Sequence, residues 1–383
     1  MRPYRAALMH RPYILTGLQR LVLGTFLALP MSARAGGQPG RSKARTFNEP
    51  SSEWAEAAPG LEVDVGRLDR ALDFTFTDGM LTATRAVVVV YRGAVVAERY
   101  AQGFGPDSKF MSHSIAKFLL GTVVGIAVRK GLLDVKAPAD VPEWRRRPGD
   151  RRARITIENF LHMSTGLRWK ENYVDPLADL PAAVSGPGYR DEAAFVASYP
   201  LDHEPGTHYY YSSGAANRLS GVVRRAVGGD RASYLGFMRR ELFDPVGMRS
   251  AEPEFDVVGT WIGSSWFWAT ARDYARLGQL YLQDGVWEGR RILPEGWVTY
   301  TRTPGPAPNN SDRYGVMCQT PWPERGSDAF GHRGYRGQAL IIVPSRELVV
   351  ARFANILRDD YRPVLLDHLW EIVQAFPAGS TSR

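Results

Sequence analysis

The chain has 383 residues, 44% of them hydrophobic and 11% aromatic, with a formal net charge of +8. That is ample for a large core and suggests two lobes, while glycine and proline are too few for a collagen-like or largely disordered chain, and no 20–50-residue repeat is visible. The single cysteine, Cys318, excludes an intramolecular disulfide and a thiolate metal cluster, and it reads as a small core residue.

At the N-terminus, Arg2, Arg5, Arg11 and Arg20 form a basic region ahead of a short apolar run, Leu21 to Pro30. Ala33-Arg34-Ala35 fits a small-x-small cleavage pattern, so residues 1–35 are expected to be an export signal. The run is short for a bilayer span; the alternative is an anchor that is retained. Cleavage after Ala35 would remove five arginines and no acids, so the basic balance is partly the signal itself. What remains, including Arg145-Arg146-Arg147 and Arg151-Arg152, reads as solvated surface rather than a nucleic-acid groove. The expected location is periplasmic or secreted, with no stable membrane span after cleavage. The oligomeric state is not legible.

Residues 36–60 are polar and rich in Gly, Pro and Ser, a linker or loosely wrapped arm. Leu61 to Leu81 reads as a helix with Leu68 and Leu72 on one face. Two strand-like runs follow, Ala86 to Tyr91 and Ala94 to Tyr100, with Arg92-Gly93 as a hairpin turn. A similar pair lies near the other end: Gln338 to Val343 and Glu347 to Phe353, flanking Pro344-Ser345-Arg346. A terminal helix is expected over Arg362 to Ala375. The intervening region is mostly helical, with a capping-box pattern of Thr270 and Asp273 ahead of one helix. The fold class is therefore α+β. An antiparallel sheet is built from both ends of the chain (about 61–113 and 300–383) and flanked by helices, with a mainly helical lobe inserted (about 114–299). Ligands favour such lobe interfaces.

Met111 to Gly131 (MSHSIAKFLLGTVVGIAVRKG) predicts a helix that is apolar on nearly every side, yet Lys117 sits in its first turn, three residues after Ser114. Residues three apart share a helix face, so the two can meet. The helix start favours negative charge at Ser114. Burial disfavours the ammonium of Lys117 and readies it to take the serine proton. The alternative is a lysine that snorkels to solvent.

Two further stretches bear on that choice. Pro205-Gly206-Thr207-His208-Tyr209-Tyr210-Tyr211-Ser212-Ser213 precedes a helix, and Phe330 to Gln338 (FGHRGYRGQ) leads into a strand. With Ser114-Ile115-Ala116-Lys117 they resemble, in order and rough spacing, the three motifs of the penicillin-recognising serine hydrolases, which include class C β-lactamases, DD-peptidases and related esterases. The stretches 160–173 (FLHMSTGLRWKENY), 269–287 and 291–298 resemble the 6-aminohexanoate-dimer hydrolase-like branch. The resemblance covers about residue 61 to the C-terminus.

The resemblance implies a β-lactamase/penicillin-binding-protein-like fold with Ser114 as nucleophile, Lys117 as its proton partner and Tyr211 as general base and acid. It puts Ser213 where the family usually has Asn, a shorter group without the amide's fixed donor and acceptor. His332-Arg333-Gly334 stands where β-lactamases have Lys-Thr-Gly, a form closer to the esterase and amidase branches. The oxyanion hole would be the backbone N–H groups of Ser114 and Tyr335. Arg333 and Arg336 bring cations nearby. Tyr173, in a loop that borders the site in relatives, and Trp266 are candidate substrate contacts, although the cluster Trp261, Trp266 and Trp268 reads more readily as packing. Apart from the motif context, Tyr211 and His332 also read as packing residues.

There is no G-x-S-x-G elbow, which argues against an α/β-hydrolase triad. His203 and His208 are five apart with Pro-Gly between them, so they cannot share a helix face as H-E-x-x-H requires. No metal and no cofactor are expected, and the partner is a small-molecule amide or ester. The expected function is an exported serine hydrolase acting through an acyl-enzyme on Ser114. The alternatives are a true β-lactamase or DD-peptidase, or a penicillin-recognising sensor that does not turn over.

Overall fold

The computed structural model describes residues 60, 62–173, 175, 177–311, 313–322, 327–358 and 360–378. The expected export signal, the arm as far as residue 59 and Leu61 lie outside them. The expected first helix is α1, Val65–Thr77; it is shorter than its apolar spacing suggests because Asp64 caps it, accepting the Arg67 N–H at 2.8 Å. At the other end Asp78 is extended and its carboxylate turns the chain by accepting the Met80 N–H.

The hairpin strands are β1, Thr84–Tyr91, and β2, Ala94–Tyr100. Arg92 and Gly93 both have positive φ, 49° and 80°, as a two-residue turn matched to strand twist requires. A small sheet inside the chain pairs β3 (Lys109–Met111), β4 (Glu252–Pro253) and β5 (Phe267–Thr270) in the order β3-β5-β4. Near the C-terminus come β6 (Phe330–Gly334), β7 (Gln338–Val343) and β8 (Leu348–Ala354). The main sheet has the order β2-β1-β8-β7-β6 and is antiparallel throughout, with Val88 opposite Ala351. The two ends of the chain thus meet at its centre.

Both faces of this sheet are covered, which is why β1 is a continuous apolar run rather than an alternating one. Val87, Val89 and Tyr91 face a core formed with α1 and the terminal helix α5, Arg362–Gln374. Ala86, Val88 and Val90 face the larger core. That core contains α2 (Ile115–Arg129), α3 (Ser213–Ala226) and α4 (Ala271–Leu282). Although α4 lies within the range expected for the helical lobe, it packs on β1, β7 and β8. Its capping box is made differently from the sequence pattern. Thr270 accepts the Asp273 N–H at 3.2 Å, while the Asp273 carboxylate takes the N–H and hydroxyl of Ser250.

Cys318 is buried, and burial pushes its thiol well above the ordinary range. Among the described residues no helix is long and apolar enough to cross a membrane.

Candidate active site

The strand β3 ends at Met111, three residues before Ser114. Ser112 anchors the turn twice: its N–H donates to the Phe267 carbonyl at 2.8 Å and its hydroxyl to the Ser265 carbonyl at 2.7 Å. His113 then adopts φ 43°, uncommon for a non-glycine residue, and Ser114 becomes the N-cap of α2. Ser114 makes no side-chain capping bond. Its hydroxyl is left for other partners.

Lys117 lies one turn along and is fully buried, as are all residues of α2 from Ile115 to Ala127. It does not snorkel. Its Nζ is 3.2 Å from Ser114 Oγ, 3.0 Å from Ser213 Oγ and 2.9 Å from the Ser264 carbonyl. Burial holds the ammonium down to about 8, against a smaller opposing pull from the Glu171 carboxylate. A substantial fraction of the lysine is therefore neutral near pH 8.

Tyr211, Ser212 and Ser213 arrive together because Ser212 caps α3, accepting the Ala215 N–H at 2.9 Å. This leaves Tyr211 just outside the helix and Ser213 as its first residue. The Tyr211 ring centroid is 4.8 Å from Lys117 Nζ, and its phenol lies beside the Ser114 side chain. Burial, then the nearby Tyr173 and Glu171, raises its phenol well above the usual range. The resting tyrosine is a neutral phenol.

The third segment is β6. A Cβ on Gly334 would come within 2.6 Å of the Ser112 carbonyl oxygen, so glycine lets this strand abut the turn that carries Ser114. His332 is buried beside it. Its Nδ1 donates to the Arg333 carbonyl at 2.6 Å, which leaves Nε2 to accept from the Tyr314 hydroxyl at 3.2 Å. Burial and then Lys117 push its imidazolium down to about 3, so it stays neutral. Both ring nitrogens have protein partners, and Tyr211 and Tyr314 pack around the ring. The Tyr335 ring stacks on Tyr173, centroids 4.9 Å apart and 10° from parallel.

Ser114, Tyr173, Tyr211, His332, Arg333, Gly334 and Tyr335 line one cavity of about 250 Å³, with Lys117 and Ser213 beneath it. Arg336 is tied away to Asn355 Oδ1 at 2.9 Å, and the second arginine at the cavity is Arg362 of α5. Trp266 is not among the lining residues; its carbonyl closes its own loop by accepting the Trp261 indole N–H. Residues not singled out from sequence also line the cavity, among them Gln319, Trp322, Tyr361 and Glu171. Glu171 accepts hydrogen bonds from Trp169, Tyr173 and Ser213. A lone glutamate in a loop carries no motif; its sequence pointers are its place two residues before Tyr173 and inside the stretch 160–173 that resembles relatives.

The sequence model of the Beta-lactamase family matches residues 75–374, a span that holds all of these segments. The chain belongs to the β-lactamase family. It is 29% identical over 228 residues to the 6-aminohexanoate-dimer hydrolase of Paenarthrobacter ureafaciens, covering 57% of this chain and 56% of that one. It is 29% identical over 135 residues to a lovastatin esterase of Penicillium rubens, covering 33% and 29%. The match thus spans little more than half of the first relative and under a third of the second. In fold, a Bacillus anthracis protein provisionally described as a 6-aminohexanoate-dimer hydrolase superposes with a TM-score of 0.69 at 21% identity, over 85% of this chain and 87% of that one. Within the β-lactamase family, then, the sheet built from both chain ends is the shared architecture, and the relatives are hydrolases named for an amide and an ester.

Proposed function

We propose that this protein is a serine hydrolase that cleaves an amide or ester through an acyl-enzyme on Ser114. The observation that carries the reading is the fully buried Lys117, with Nζ 3.2 Å from Ser114 Oγ. Neutral Lys117 takes the Oγ proton as the serine attacks the carbonyl carbon. The backbone N–H groups of Ser114 and Tyr335 receive the developing oxyanion. Tyr211, a phenol at rest, gives its proton to the leaving amine or alcohol and recovers one from the water that hydrolyses the acyl-enzyme, and Lys117 returns its proton to Ser114 Oγ as the acid leaves. Overall, one water is consumed and an acid and an amine or alcohol are released.

The linear amide and ester named for the two relatives are the substrate classes to try first. The buried, fully bonded His332 in place of a lysine argues against carboxylate recognition of the β-lactam kind at that position. The basic, apolar and small-residue order at the N-terminus supports export. The test is hydrolysis of a panel of p-nitrophenyl esters, 6-aminohexanoate dimer and a chromogenic cephalosporin by wild type and Tyr211→Phe. Ester or amide turnover that falls 10²–10⁴-fold in the variant is expected. Turnover of the cephalosporin alone, or a loss below tenfold in the variant, would overturn the reading or the tyrosine's part in it.

A further inference from the structure

The family's usual asparagine has an amide oxygen that can only accept. Ser213 has a hydroxyl, which can turn either way. Pointed at Lys117, its proton would occupy the amine lone pair that the reaction needs. Something must fix the rotor.

The Glu171 carboxylate does this geometrically. Its Oε2 accepts the Trp169 indole N–H at 2.6 Å and the Ser213 backbone N–H at 2.8 Å. Its Oε1 accepts the Ser213 hydroxyl at 2.6 Å and the Tyr173 hydroxyl at 3.0 Å. A carboxylate has about four acceptor sites, and these contacts fill them. Ser213 therefore spends its one proton on Glu171, and only lone pairs face Lys117 Nζ at 3.0 Å. The Ser264 carbonyl, 2.9 Å from the same nitrogen, can only accept as well. A neutral amine has two N–H groups and one lone pair. With both N–H groups committed to Ser213 and Ser264, the lone pair is directed at the third neighbour, Ser114 Oγ.

We propose that Glu171 is a positioning residue for the reaction, locking the Ser213 hydroxyl as an acceptor so that the Lys117 lone pair faces the Ser114 hydroxyl. The inference rests on the serine-hydrolase reading above. It assigns no general-base step to Glu171, because its acceptor sites are filled and none is left for a deacylating water.

Glu171→Gln reverses the lock. The Trp169 and Ser213 N–H donors require the amide oxygen at the Oε2 position, which puts the amide NH₂ against Ser213 Oγ. The serine proton is then displaced toward Lys117. The experiment is the rate of Ser114 labelling by a fluorophosphonate, followed against pH for wild type, Glu171→Gln, Ser213→Ala and the double variant. Melting curves check that each is folded.

Labelling by Glu171→Gln is expected to be at least tenfold slower at its plateau, with its acid limb displaced to lower pH because the carboxylate that favours the ammonium is gone. The double variant should be no slower than the slower single variant, since both changes break one hydrogen-bond chain. If Glu171→Gln fails to fold, Ser213→Ala alone must show the slower labelling. Labelling at the wild-type rate and midpoint, or losses that multiply in the double variant, would overturn the proposal. So would an acyl-enzyme that accumulates on an ester substrate in Glu171→Gln with labelling unslowed, since that is the mark of a deacylation base. Failure of wild type to label at all would instead count against the serine-hydrolase reading.

Discussion

Lys117 decides the pH behaviour. In the proposed mechanism its ammonium, held down to about 8 by burial, must lose its proton before it can take one from Ser114. The value of kcat/KM is expected to rise tenfold per pH unit below about 8 and to level off above it. A profile flat from pH 6 to 9 would mean that the lysine is not the titrating base. His332 makes no step in this window, because it stays neutral down to about pH 3. At this scale the sequence was informative where the chemistry is local. Ser114 and Lys117 lie three residues apart on one helix, and their meeting follows from helix geometry alone. Glu171 was not legible, because its partner Ser213 is 42 residues away and a loop glutamate is indistinguishable from a solvated one. Ser213 was legible as a departure from the family pattern, but what compensates for it was not. Arg336 was drawn toward the site by sequence proximity, whereas the left-handed turn at φ 62° carries it toward Asn355.

Among the elements, the short turn after β6 decides where the Tyr335 N–H points. Gln338 staples it: its side-chain N–H₂ donates to the Tyr335 carbonyl at 2.8 Å and the Ala354 carbonyl at 2.9 Å, and its Oε1 accepts the Ala354 N–H at 2.9 Å. The buried Arg352 guanidinium braces the same turn through the Gly337 carbonyl. Gln338→Leu strands these buried backbone groups and is expected to destabilise the protein by on the order of 3 kcal/mol. It should also slow acylation, since one misplaced oxyanion donor costs about 10²–10³-fold. Chemical denaturation beside fluorophosphonate labelling measures both; a variant with wild-type labelling would separate the turn from the oxyanion site. The two hairpins, the helix α2 and the terminal helix were all legible, because each has a turn signal or a long apolar pattern. The β3-β5-β4 sheet was not, since strands of two to four residues are too short to show a period.

Across the whole molecule, buried titratable groups set the response to pH. Burial pushes His113 and His368 down to about 4 and His332 to about 3, so the unfolded chain takes up protons below about 6.5 that the fold refuses. Their contribution is lost as pH falls through that window. Glu192 has the opposite sign. Burial, and then Asp256, pushes its carboxyl up to about 8, so the fold keeps a proton that the unfolded chain releases near 4.5. That contribution is lost as pH rises from about 4.5 to 8. Glu192→Gln is therefore expected to match wild type near pH 4.5 and to gain on it by at most about 1.4 kcal/mol per unit toward pH 8. Parallel denaturation curves at pH 4.5 and 8 read this directly, and a difference that does not grow with pH would contradict it. The α+β architecture itself was legible, because strands at both chain ends with helices between them have one simple closed arrangement. That α4 belongs to the sheet rather than to a separate lobe follows only from its packing on β1, β7 and β8.

The central claim is that Ser114 is an activated nucleophile, and intact mass after fluorophosphonate treatment of wild type and Ser114→Ala tests it most directly. The account predicts a single adduct on the wild-type protein and none on the variant. An unmodified wild type, or an adduct that survives in Ser114→Ala, would contradict it.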